Sequence, residues 1–164
     1  MDLGCGDAAL AQKFLKKVPQ ETTENQKFEF KLFKNIISID LVASQPYVTK
    51  GDIANTGLES SAADFFIFFL SLMGVNYKDF LKEGARILKI GGVMVILEIT
   101  SRMPDTTSFS RVVENYGMNM VQKKDLGGYF VFFVFKKKKE VNLERINSQV
   151  DWAQLLKPCE YKKR

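Results

Sequence analysis

Two stretches of this 164-residue chain are apolar without alternation: Phe65-Phe66-Ile67-Phe68-Phe69-Leu70 and Val93-Met94-Val95-Ile96-Leu97. A strand with one wet face alternates apolar and polar residues, so an unbroken run of this length reads as a strand covered on both faces. Sheets covered on both faces are parallel sheets with helices in their crossovers. The rest of the chain is patterned to match. Ala8–Val18 reads as a helix on the spacing of Ala9, Leu10, Phe14 and Leu15, stopped by Pro19, and residues 20–34 read as a polar loop. Short strands follow at Asn35–Asp40 and Tyr47–Lys50. A helix over Tyr77–Leu88 comes after the first apolar run, and Gly91-Gly92 should break it before the second. A shorter helix over Thr107–Tyr116 leads to two strands, Met118–Lys124 and Tyr129–Phe135, with Gly127-Gly128 as their hairpin turn. The expected fold class is α/β: an open, mostly parallel sheet with helices on both faces and an antiparallel hairpin strand at one edge. Phe65–Phe69 and Phe130–Phe135 hold eight of the 14 phenylalanines, and core packing is their expected role.

Composition removes whole classes of chemistry. The chain has no histidine, which excludes a Ser-His-Asp triad, a Cys-His dyad and any His-ligated metal site within it. Cys5 and Cys159 lie at opposite ends and form no CxxC, so no metal site is expected and the compartment reads as reducing. The sequence has neither a bilayer-length apolar run nor a basic-then-apolar leader, so no membrane association is expected. Net charge is +5, and its placement is uneven: residues 1–135 carry 15 Lys/Arg and 15 Asp/Glu, while residues 136–164 carry 9 and 4. The chain therefore reads as a neutral domain over 1–135 followed by a basic C-terminal tail over 136–164.

In an open parallel sheet, ligands bind beyond the carboxyl ends of the strands, where the strand order reverses. Gly4-Cys5-Gly6 precedes the first helix and lets backbone approach a ligand closely. Asp40 ends the next strand, at a distance suited to ribose hydroxyls. Asp52-Ile53 follows the third strand, and Phe69-Leu70-Ser71-Leu72-Met73-Gly74 ends the fourth. Each acid alone reads more simply as a solvated strand end; the ordered set along one rim is the stronger signal. The dinucleotide fingerprint would place a third glycine where Ala9 stands, so the glycine spacing alone leaves a nicotinamide-dependent oxidoreductase open.

The acid-rich Asp2-x-Gly4-x-Gly6-Asp7 and the terminal hairpin resemble the class I methyltransferases that bind S-adenosylmethionine. The match extends to Asp40-Leu41-Val42-Ala43, Gly51-Asp52-Ile53-Ala54 and Phe69-Leu70-Ser71-Leu72-Met73-Gly74-Val75-Asn76. It continues in Phe80 to Gly92, Glu98-Ile99-Thr100-Ser101-Arg102-Met103 and Leu156 to Arg164. Together these resemble the ribosomal RNA-processing protein 8 (nucleomethylin) family over nearly the whole chain. The resemblance implies a Rossmann-like methyltransferase sheet. It also implies S-adenosylmethionine as cofactor, with S-adenosylhomocysteine as product, and methylation of N1 of an adenosine in large-subunit ribosomal RNA. Further implications are a part in ribosome biogenesis, residence in the nucleus and nucleolus, and ribosomal RNA with nucleolar or chromatin proteins as partners. Gly4 would meet the methionine end, Asp40 the ribose, and Asp52 with Ile53 the adenine, with Gly6 also among the cofactor-binding residues. Phe69 stands where the family often has a cysteine touching the cofactor, so its contact would be through backbone.

Such a transfer needs alignment more than proton movement, because the sulfonium is an activated leaving group and adenine N1 carries a lone pair. Glu98 and Asp105 are the candidate carboxylates for stabilising the cationic product, and each reads equally as an ordinary strand-end or loop acid. The base must be unpaired or flipped out. Arg102, Tyr129 and Phe130 are candidates to guide it, and Lys136, Lys137, Lys138 and Lys139 to hold phosphates. The four lysines read equally as a solubilising or nuclear-address run. The family has a longer strand before Gly4, preceded by helices, whereas here only Met1-Asp2-Leu3 remain. The expectation is an N-terminally truncated domain that lacks most of its first strand and binds S-adenosylmethionine poorly. The competing reading is a non-catalytic, degenerate methyltransferase-fold module that binds RNA or protein.

Overall fold

The structure, a computed structural model, describes residues 1–9, 11–12, 36–143 and 150–159. Most of the Ala8–Val18 helix, the 20–34 loop, Asn35 and the last residues, 160–164, lie outside that set; Ala9, Ala11 and Gln12 are helical. The strands are β1 (Asp2–Leu3), β2 (Ser38–Asp40), β3 (Val48–Lys50), β4 (Ala63–Phe69), β5 (Leu88–Ile99), β6 (Met118–Leu126) and β7 (Phe130–Lys137). The helices are α1 (Tyr77–Ile87), α2 (Thr106–Asn115) and the short α3 (Trp152–Leu155).

All seven strands join one sheet in the order β3-β2-β1-β4-β5-β7-β6. Strands β1 to β5 run parallel, and β7 is antiparallel to both β5 and β6. The antiparallel strand expected at the edge is thus one place in, and β6 forms the edge. Order reverses between β1 and β4, so the ends of these strands open a crevice at the switch point. Although β1 has two residues, it pairs on both sides: Asp2 N–H donates to Ile37 O (2.9 Å), Gly4 N–H to Ile39 O (2.8 Å), and Ile67 N–H to Met1 O (3.0 Å).

One face of the sheet carries Phe66, Phe68, Met94, Ile96, Val131, Phe133 and Phe135, all buried with Tyr77, Leu81 and Ile87 of α1 and Phe109 and Val113 of α2. Contact there is close: a Cβ on Gly84 of α1 would lie 2.5 Å from Phe66 Cζ. The expectation that every strand phenylalanine is core fails at the strand ends, where Phe69 is 42% and Phe130 36% exposed.

Gly91-Gly92 does not end a helix. Helix α1 stops at Ile87, Leu88 is already extended, and the glycines lie inside β5. They form a bulge: Leu88 pairs with Ala63 and Val93 with Phe65, so the β5 side carries the extra residues. Gly91 has φ +84°, and a Cβ on Gly92 would sit 3.0 Å from Asp64 O. Both positions therefore need glycine.

The boundary expected after Phe135 also shifts. Strand β7 runs on to Lys137, and Leu155 and Leu156 join the core. Tyr77 Oη donates to Trp152 O (2.6 Å), and their rings meet edge-on at 5.6 Å. The described part of the expected tail is therefore folded onto the body.

Candidate functional site

A cleft of about 480 Å³ opens at the carboxyl ends of β1 to β4, lined by Gly4, Gly6, Asp40, Asp52 and Ile53 together with Leu70 and Ser71, among others. Five of the six residues expected around the cofactor thus converge from three separate strand ends, those of β1, β2 and β3. Gly4 has φ +71°, and a Cβ there would be 2.5 Å from Ser71 Cβ. Glycine is required by both conformation and contact, because β1 and the segment after β4 touch at this point. Gly6 has φ +54° with nothing within 4 Å of a would-be Cβ, which leaves open space above the turn. The Asp40 carboxylate accepts from Gly6 N–H (2.9 Å) and Val42 N–H (3.1 Å), tying the glycine turn to the end of β2. Asp52 accepts from Ala54 N–H (2.8 Å), which shapes the turn that presents Ile53. Burial, reinforced by the nearby Asp2 and Asp40 charges, pushes the Cys5 thiol up to about 11, so it stays protonated and offers no thiolate.

Phe69 does not line the cleft. It stands in register with Leu97 and Phe132 across the sheet, half-exposed. The fourth wall is built instead by Leu70, Ser71, Met73 and Gly74, with Asn76 and Phe80 at the start of α1. The string is visible in the sequence, but nothing in its pattern tells which of its side chains line the cleft. Leu70 takes φ +53°, an uncommon state for leucine, and turns the chain out of β4. Ser71 Oγ is buried without a hydrogen-bond partner. Asn76 sits at the N-cap position of α1 yet makes no side-chain cap, so its amide is left for the cleft.

The two candidate carboxylates lie elsewhere. Glu98 is fully buried on the core face of β5; it accepts from Arg102 Nη1 (2.6 Å) and from Leu72 N–H (3.0 Å). Burial raises its pKa, and the Arg102 charge works against that rise. Asp105 is the N-cap of α2, accepting from Thr107 and Ser108 N–H and from Ser108 Oγ. Those bonds hold its carboxyl below the usual range.

The expected RNA contacts divide in the same way. Arg102 is buried, and its guanidinium donates to Glu98, Leu72 O (2.7 Å) and Lys157 O (2.8 Å), which takes it away from any RNA. Lys137 is also buried: its Nζ donates to Ala85 O and Leu88 O (2.8 Å each), at the end of α1, and pairs with Glu140. Lys136, Lys138 and Lys139 are exposed, as is Tyr129. Among the described residues no group of acids or cysteines gathers to hold a metal, and no helix is long and apolar enough to cross a membrane.

A parallel sheet with one reversed strand next to its edge, and a glycine turn at the switch point facing the acids that end the neighbouring strands, define a class I methyltransferase fold. A solved N1-methyltransferase of 1,6-didemethyltoxoflavin from Burkholderia thailandensis, carrying S-adenosylhomocysteine, superposes with a TM-score of 0.61 at 11% identity. The match covers 84% of this chain and 70% of that one, and at this identity the likeness is one of fold. A family model described as "Hypothetical methyltransferase" matches residues 1–164, and the chain belongs to that family. "Ribosomal RNA-processing protein 8" of Dictyostelium discoideum is 35% identical over 173 residues, covering 99% of this chain and 40% of the relative. The "25S rRNA (adenine(645)-N(1))-methyltransferase" of Schizosaccharomyces pombe is 36% identical over 138 residues, covering 83% of this chain and 39% of the relative. The chain thus spans about two fifths of the length of these curated relatives.

Proposed function

We propose that this chain is the S-adenosylmethionine-binding unit of an enzyme that methylates N1 of an adenosine in large-subunit ribosomal RNA, acting in ribosome biogenesis in the nucleolus. The observation that carries the proposal is the convergence of Gly4, Gly6, Asp40, Asp52 and Ile53 in one cleft at the switch point of this fold. The names of the two ribosomal RNA relatives supply the substrate class.

The cleft fits the cofactor in size and in kind. Gly6 leaves backbone open toward the methionine end, Gly4 lets the turn close onto Ser71, and Ser71 Oγ is an unpartnered polar atom in the same wall. Asp40 is the acceptor for ribose hydroxyls, and Asp52 with Ile53 frames the adenine. The bound cofactor supplies a methyl group on a sulfonium leaving group. This chain contributes alignment, which is worth up to about 7–11 kcal/mol in well-oriented reactions. With Glu98 and Asp105 committed elsewhere, neither is placed to stabilise the cationic product as expected, and transfer to the neutral N1 lone pair needs no side-chain base. The Asn76 amide faces the cleft, where an asparagine matches the donor–acceptor edge of adenine. Exposed Tyr129, at the cleft end of β7, offers a stacking surface for single-stranded RNA, and exposed Lys136, Lys138 and Lys139, at and beyond the opposite end of that strand, offer charge to phosphates further along the RNA.

Calorimetric titration of the chain with S-adenosylmethionine tests this. Because the short β1 is paired on both sides, wild type should bind despite the expectation of poor binding drawn from its length, and Asp40→Ala should weaken binding by about tenfold or more, the worth of a charge-assisted bond. Equal affinity in both proteins contradicts the assignment.

A further inference from the structure

We infer that Glu98 and Arg102 are positioning residues of the transfer site, acting through the backbone of Leu72 to fix the cleft wall made by Ser71 and Met73. This rests on the proposed methyltransferase reading of the cleft. The wall segment leaves β4 through Leu70, whose N–H still donates to Leu97 O (2.9 Å) and whose φ is +53°. Leu70, Ser71, Met73 and Gly74 line the cleft, while Leu72 turns inward and is fully buried.

Both backbone groups of Leu72 are taken by the ion pair. Its N–H donates to Glu98 Oε1 (3.0 Å), and its carbonyl accepts from Arg102 Nη2 (2.7 Å). Glu98 Oε2 and Arg102 Nη1 close the ring at 2.6 Å. The pair does for Leu72 what a neighbouring strand would do for a ladder residue, at a point where the chain has left the sheet.

A second layer holds the pair. Arg102 Nε donates to Lys157 O (2.8 Å), and Lys157 N–H returns a bond to Arg102 O (2.8 Å). Cys159 N–H then donates to Met73 O (3.0 Å). The segment 157–159 therefore braces the same wall through Arg102 and Met73. A planar guanidinium reaching three acceptors cannot be replaced by an ammonium. A pair needed only to neutralise charge would not require that fork.

The test uses Arg102→Lys in the whole chain, with Glu98→Gln carrying the same measurements should Arg102→Lys fail to fold by circular dichroism. Hydrogen exchange reads the brace without reference to activity: the Leu72 and Cys159 amides should exchange about tenfold faster than in wild type. In methyl transfer to an RNA containing the target adenosine, kcat should fall about tenfold or more, as expected for a shift in alignment. KM for RNA should change by less than about threefold. A folded variant with wild-type exchange at Leu72 and wild-type kcat overturns the inference. So does a fall in kcat with no change in exchange. Absence of methyl transfer by the wild type would instead overturn the functional reading, and the exchange result would still decide whether the pair holds the wall.

Discussion

Replacing Lys137 with methionine separates two kinds of lysine that a sequence shows as one run. The Lys137 ammonium is 1% exposed, donates to Ala85 O and Leu88 O at 2.8 Å each, and pairs with Glu140 at 2.7 Å. Methionine keeps the apolar length and removes the donor. Two buried carbonyls then lose their partner, at about 1–3 kcal/mol each. Against this stands relief from desolvating the ammonium, several kcal/mol for an isolated ion and less here because Glu140 already compensates it. Glu140 is 59% exposed and returns to water at little cost. The net expectation is a loss of about 1–3 kcal/mol, read in urea as a lower midpoint at unchanged slope. Lys138→Met, at an exposed position, should change stability by less than about 0.5 kcal/mol. It should instead flatten the dependence of log K for RNA on log salt by about 0.7. A Lys137→Met protein with the wild-type midpoint, or one that flattens the salt slope as Lys138→Met does, refutes the reasoning.

Gly84→Ala should destabilise despite alanine's better helix propensity, because the new methyl would lie 2.5 Å from Phe66 Cζ; thermal unfolding should give a lower Tm, reflecting about 1–3 kcal/mol of overpacking. Glu83 accepts from Thr56 N–H (2.8 Å), Thr56 Oγ1 (2.6 Å) and Arg86 (2.7 Å). Burial alone would raise its pKa, but the bonds from Arg86 and Thr56 outweigh burial and hold it below the ordinary value. Its contribution is therefore present above the unfolded-state value and lost as pH falls through the folded one. Glu83→Gln should accordingly lose less stability on acidification than wild type, measured by urea unfolding across the acid range. Asn76→Ala should raise KM for RNA with little change in cofactor affinity, measured by steady-state methyl transfer and calorimetry.

The sheet was legible because its central strands announce themselves as unbroken apolar runs, and the cleft because glycines and acids recur at strand ends. What stayed hidden depended on which way a side chain points. Glu98 shares the core face of β5 with Met94 and Ile96, and Lys137 shares the core face of β7 with Val131, Phe133 and Phe135. The period of two would have turned both inward, but charge was read as exposure. Arg102 offered no such periodicity, since its partners come from Leu72 and Lys157, far apart in the chain. Gly91-Gly92 was read as a helix stop because a glycine pair breaks helices and shapes bulges alike. Only the pairing of Leu88 with Ala63 distinguishes the two. The return of Leu155 and Leu156 to the core was obscured by the basic character of the 136–164 segment as a whole.

The central claim is that this cleft directs a methyl group to an adenine base. Incubation of the chain with S-adenosylmethionine bearing a deuterated methyl and a large-subunit ribosomal RNA fragment, followed by nuclease digestion and mass spectrometry, tests it directly. The account predicts labelled 1-methyladenosine with wild type and its loss with Asp40→Ala. Label on another base or position, or undiminished label with Asp40→Ala, would contradict it.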